Sequence, residues 1–108
     1  MNIKELTVRM NQLVEAKGWY DPQSARPQTP RNLAISLSLE AAELLENFQW
    51  NDQCQDSSAL KEELADVALY LLQIASVSGI DLEKAILQKL EINHKRVWDK
   101  PPESARTP

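Results

Sequence analysis

Apolar residues recur with a helical period along four segments of the chain. In the first, Ile3, Leu6, Met10, Leu13 and Val14 fall on one stripe, which predicts a helix from about Ile3 to Lys17 with Gly18 as its stop. The polar stretch WYDPQSARPQ follows. Thr29 then stands as an N-cap with Pro30 at the first helical position, opening a second helix that reaches about Gln49. Beyond the connection NDQCQDSS, a third helix is expected from Ser58 to Ser78, ended by Gly79. Asp81 is placed to cap a fourth that runs to about Arg96. Only two glycines and six prolines punctuate the chain, and the prolines avoid the apolar periodic segments, so the expected fold class is all-α, a four-helix bundle protomer. Residues 1–98 read as one helical domain. The tail DKPPESARTP, at 99–108, has nothing to bury and is expected to be disordered.

Composition narrows the function classes. A chain of 108 residues can build a core, yet it is small enough that burial against a second copy would add stability. The net charge of -4 argues against nucleic acid as a partner. A charged, amphipathic N-terminus and the lack of a run of about 20 apolar residues argue against a membrane. Cys54 is the single cysteine, which fits a reducing compartment; the expected location is cytoplasmic.

The stretch LEAAELLENFQW changes the picture. Glu40 and Glu43 are three apart and share one helix face, and so do Glu63 and Asp66 in EELADVALYLL. A short connection makes the second and third helices antiparallel neighbours. Counted back from Trp50, Glu43 and Glu40 lie about 10 and 15 Å down; counted on from Ser58, Glu63 and Asp66 lie about 8 and 12 Å down. The two pairs come level, and four carboxylates converge.

With 16 acidic residues, a lone Glu-x-x-Glu would be ordinary solvated surface. Here both pairs sit in largely apolar runs, and no cation stands four residues away on either side. Ser36 and Leu44 flank Glu40, Leu39 and Asn47 flank Glu43, Ala59 and Val67 flank Glu63, and Glu62 and Tyr70 flank Asp66. Uncompensated acids at close range must protonate or recruit a cation, and an all-oxygen ligand set favours Mg²⁺, or Mn²⁺, over zinc. A carboxylate-held Mg²⁺ keeps positions for phosphate oxygens, so cations should stand nearby. Lys89, Asn93 and Arg96 form one polar stripe on the fourth helix. Folding back at Gly79 would set Asn93 level with Asp66 and Lys89 level with Tyr70, although the helix macrodipole alone also favours basic residues there.

These residues carry a family resemblance. PRNLAISLSLEAAELLENFQW followed by KEELADVALYLL resembles the MazG-like, all-α nucleoside triphosphate pyrophosphohydrolases, whose hallmark is Glu-x-x-Glu, a variable gap and Glu-x-x-Asp. The opening of the second helix, its Phe-Gln-Trp end and KLEINHKR are most similar to the small dCTP pyrophosphatase branch. The resemblance implies cleavage of a nucleoside triphosphate to its monophosphate and pyrophosphate, with Mg²⁺ on Glu40, Glu43, Glu63 and Asp66. Deoxynucleotides, dCTP foremost, are the expected substrates, and cleansing of the nucleotide pool the expected role. It further implies a homodimer or homotetramer with helices of both subunits around each site.

In that frame Lys89 and Arg96 would hold phosphate oxygens, Asn93 the sugar or phosphate, and Tyr70 would pack on the sugar. Trp19 and Trp50, at helix ends, would stack on the base. Glu46 is a candidate base. Two other readings compete. Glu91 and His94 make the Glu-x-x-His of di-iron carboxylate proteins, which one histidine per chain could satisfy only in a symmetric dimer. A non-enzymatic helical dimerisation module would leave the acids as surface charge.

Overall fold

Each helix starts on a side chain that caps it. Asn2 Oδ1 accepts the Glu5 N–H at 2.8 Å and Thr29 Oγ1 the Asn32 N–H at 3.1 Å. Asp56 Oδ1 accepts from Ser58 and Ala59 at 3.0 and 3.2 Å, and Asp81 Oδ1 accepts from Lys84 at 3.1 Å. These caps open α1 (Ile3–Ala16), α2 (Pro30–Glu46), α3 (Ser57–Val77) and α4 (Leu82–Lys95) of the computed structural model, which describes residues 1–54 and 56–97. The fold is all-α, without a strand among the described residues. The tail at 99–108 lies outside them.

Gly18 and Gly79 end α1 and α3 as expected, in left-handed conformation at φ +71° and +68°. The residue after each glycine reaches back five positions, Trp19 N–H to the Val14 carbonyl at 3.1 Å and Ile80 N–H to that of Ala75 at 2.8 Å. α2 stops at Glu46, three residues short of the expected Gln49. The Asn47 side chain takes the Glu43 and Leu44 carbonyls at 3.4 and 3.2 Å. The N–H groups of Phe48 and Gln49 then bond three residues back, tightening the last turn and releasing the chain.

α3 is the central helix, with α2 along one side as the other arm of a helical hairpin and α1 on another. Met10 and Val14 of α1 bury against Leu72 of α3, and Ile3, Trp19, Tyr20 and Leu82 close around them. Leu33 and Ala75 are the other buried apolar residues. This is a thin core for four helices. The radius of gyration is 17.7 Å, against about 13 Å for a compact domain near 100 residues.

The expected register of α4 against α3 does not form. α4 leaves α3 at 104° rather than folding back along it, because Leu82 anchors on the α1 cluster as soon as the helix begins. Asn93 therefore lies about 20 Å from Asp66 rather than level with it, taking 1.5 Å of rise per residue along both helices. Beyond Leu82 and Ala85 every residue of α4 is exposed, Ile86, Leu87, Leu90 and Ile92 among them. No single helix is long and apolar enough to cross a membrane among the described residues.

Candidate metal centre and the adjoining cavity

The α2–α3 hairpin brings the acid pairs together. Glu40, Glu43 and Glu63 each offer a carboxylate oxygen, and those oxygens lie within 4.8 Å of one another. Glu40 and Glu63 are half-buried, and Oε2 of each is sealed from solvent with no hydrogen-bond partner. Burial, hydrogen bonding to Glu43 and Glu63, and the charges of Glu43 and Asp66 push the Glu40 carboxyl up to about 7. The Glu63 carboxyl is also raised, chiefly by burial, although its hydrogen bond to Glu40 opposes the rise. Asp66 stands outside the tight group of three, yet its charge is felt by both.

A half-satisfied acid cluster of this kind is costly to fold around. The donor set answers what could relieve it. Three carboxylates, two of them with orphaned inner oxygens, present hard oxygen ligands on one spot, which suits a divalent cation such as Mg²⁺ or Mn²⁺ and offers no nitrogen or sulfur for zinc.

A cavity of about 480 Å³, lined by Asp66 but by none of Glu40, Glu43 and Glu63, lies between α1, α2, α3 and the α1–α2 connector. Ser36, Asp66 and Tyr70 line the end towards the acids; Trp19, Arg26, Gln28 and Gln73 line the other. The volume is in the range of small-molecule sites. The Arg26 guanidinium lies over the Trp19 ring, 6.0 Å from its centroid. Burial raises the Tyr20 phenol beside it, and a hydrogen bond from Gln73 opposes that rise.

The other sequence-predicted residues divide. Trp19 and Tyr70 face the cavity with Asp66. Trp50 is 89% exposed and lines no part of it, because the chain has already left the helix at Glu46. Lys89 and Asn93 are exposed on α4, and Arg96 is exposed just past its end in an extended conformation, on a helix that diverges from the one carrying Glu63 and Asp66. Glu46 is exposed. Glu91 pairs with Lys95 at 3.4 Å on the surface of α4. Gln28 and Gln73 went unread in the sequence; the signal was a glutamine inside the apolar run LLQIA, which the structure buries to 5% exposure.

An all-α hairpin that gathers acidic side chains beside a ligand-sized cavity defines a class of helical, carboxylate-centred site. The sequence matches the MazG-like family over residues 35–103, and the chain belongs to that family. A crystal structure of a pyrophosphatase from Archaeoglobus fulgidus is similar with a TM-score of 0.71 and 34% identity, over 86% of this chain and 89% of that one. The dCTP pyrophosphatase 1 of Homo sapiens is 40% identical over 76 residues and that of Rattus norvegicus 38%, each alignment covering 62% of this chain and 45% of the relative. The chain thus spans about half the length of these relatives. A dATP/dGTP diphosphohydrolase of Salmonella phage PMBT28 is 50% identical over 38 residues, 35% of this chain and 13% of the phage protein.

Proposed function

We propose that the chain hydrolyses deoxynucleoside triphosphates to the monophosphate and pyrophosphate, with dCTP favoured, and that Glu40, Glu43, Glu63 and Asp66 hold the Mg²⁺ it requires; Mn²⁺ would substitute. The observation that carries this reading is the gathering of Glu40, Glu43 and Glu63, whose carboxylate oxygens lie within 4.8 Å of one another while Glu40 and Glu63 each keep a buried oxygen without a partner. The names of the relatives support it.

When bound, the ion supplies a Lewis acid for the phosphate oxygens and a more acidic water. The chain's own groups do the rest. Asp66 bounds both cluster and cavity, so it sets where the phosphates end and the nucleoside begins. Tyr70, one turn further along α3, packs on the sugar. Trp19 offers its ring to the base once Arg26 swings from it. No ion pair reaches the cluster among the described residues, and Lys89, Asn93 and Arg96, on and just beyond α4 of a second copy, supply positive charge and a hydrogen-bonding amide. A homodimer or homotetramer also covers Ile86, Leu87, Leu90 and Ile92. The role proposed is cleansing of the cytoplasmic nucleotide pool.

Two measurements test this. Mg²⁺ should raise the melting temperature, and Mg²⁺ with a non-hydrolysable dCTP analogue should raise it further; ligand at about 100 times Kd is worth about 2.7 kcal/mol. A dimerisation module whose acids are mere surface charge would respond to neither. Sedimentation at micromolar concentration should give a dimer or tetramer, and a clean monomer would contradict the shared site.

A further inference from the structure

Five side chains from α1, the α1–α2 connector and α3 form two short hydrogen-bonded chains beside the cavity. Asn11 Nδ2 donates to Ser76 Oγ at 2.9 Å, and the Tyr20 hydroxyl donates to Asn11 Oδ1 at 2.6 Å. Gln73 Nε2 donates to Gln28 Oε1 at 2.7 Å, and Gln28 Nε2 donates to the Arg26 carbonyl at 2.6 Å.

The direction of both glutamine bonds follows from one end. A backbone carbonyl only accepts, so Gln28 must turn its NH₂ towards Arg26 and its oxygen towards Gln73. Gln73 must then present NH₂ to Gln28. Neither glutamine can flip alone without setting two donors or two acceptors against each other, which for a side chain 5% exposed leaves a buried polar group unpaired.

Two groups of the pair stay available to a ligand: the second hydrogen of Gln28 Nε2 and the carbonyl oxygen of Gln73. Both residues line the cavity. Gln73 stands seven residues beyond Asp66 on α3, about 10 Å along the axis. That is the span of a nucleoside whose 5′ phosphates lie at the acids.

We propose that Gln73 is a specificity-determining positioning residue: it holds the Gln28 amide in one orientation, so that the pair presents a fixed donor and a fixed acceptor to the hydrogen-bonding edge of the base. The inference rests on the triphosphate reading above. A fixed order of donor and acceptor separates bases whose edge carries an amino group, cytosine and adenine, from those carrying an oxo group there, thymine and guanine. Since dCTP is the favoured substrate, the amino class is the one accepted. Two oriented hydrogen bonds to a base edge are worth a discrimination of about 1–3 kcal/mol, roughly 5–150-fold.

The test is kcat/KM for dCTP, dTTP, dATP and dGTP with the intact chain, Gln73→Met, Gln28→Met and the double variant, each confirmed folded by circular dichroism. The intact chain should prefer dCTP over dTTP by about tenfold or more. Gln73→Met should cut that ratio to near unity, mainly by raising the KM for dCTP. The double variant should be no worse than either single one, because the two amides act as a unit. Gln28→Met alters only the connector side and carries the test if Gln73→Met fails to fold. Ratios indifferent to both substitutions, or effects that add, would overturn the assignment. An intact chain that cleaves none of the four triphosphates sinks the hydrolase reading instead; in that case the ratio of dCMP to dTMP affinity, measured by calorimetry on the same variants, still decides the role of Gln73.

Discussion

A Glu40→Gln protein should lose three orders of magnitude or more of turnover while becoming more stable without metal. The loss follows from removing one carboxylate of the ion-binding set, where several kcal/mol of charge stabilisation are at stake and each 1.36 kcal/mol is tenfold in rate. The gain follows from the same geometry. Glu40 lies within hydrogen-bonding reach of Glu43 and Glu63, and its Oε2 is buried without a partner. An amide of the same shape is neutral and can donate to either neighbour, so the repulsion falls and the orphan is relieved. The cluster is partly open to solvent, which screens the repulsion, and about 1 kcal/mol is expected. That corresponds to roughly 4–8 °C for a chain of this size. Activity and thermal melting measured on one preparation check both halves. A variant that is inactive and less stable would mean that Glu40 serves the fold instead.

The second large effect is on pH and metal together. In the metal-free protein the Glu40 carboxyl titrates at about 7 against an ordinary 4.5. Between those values the folded chain holds a proton that the unfolded chain has lost, so stability falls as pH rises through this window. The raised Glu63 adds to the same trend. Melting temperature without metal should therefore be higher at pH 5 than at pH 8. Mg²⁺ must displace the shared proton, so its stabilising effect should be large at pH 8 and nearly absent at pH 5. A metal shift that is equal at both pH values would place the ion away from these carboxylates.

Much of this was legible in the residues, for local reasons. Helix starts at Thr29 and Asp81 and stops at Gly18 and Gly79 are decided within one turn of chain, and the structure shows them. The convergence of Glu40, Glu43 and Glu63 needed only helix geometry and a short connection. What the sequence did not convey is set by long-range packing. Nothing near Gly79 says whether α4 should return along α3 or cross to α1; Leu82 settles it by joining Met10 and Val14. The stripe of Lys89, Asn93 and Arg96 was expected along α3 of its own chain, whereas α4 diverges from α3 and ends at Lys95, leaving Arg96 extended beyond it. Trp50 failed as a cavity residue because Asn47 unwinds α2 one turn early. Gln73 stood out only as a glutamine inside an apolar run, because its partner Gln28 comes from a connector without regular structure, 45 positions away in sequence.

In the proposed reaction, four carboxylates on two helices serve hydrolysis of a deoxynucleoside triphosphate between its α and β phosphorus atoms. The most direct measurement is to incubate the purified chain with each deoxynucleoside triphosphate and Mg²⁺, quantifying pyrophosphate, orthophosphate and the nucleotide product separately. Pyrophosphate and the matching monophosphate in equal amounts, abolished by chelation of the metal, are the predicted result. Orthophosphate with a diphosphate product, or no product from any triphosphate, would contradict the account.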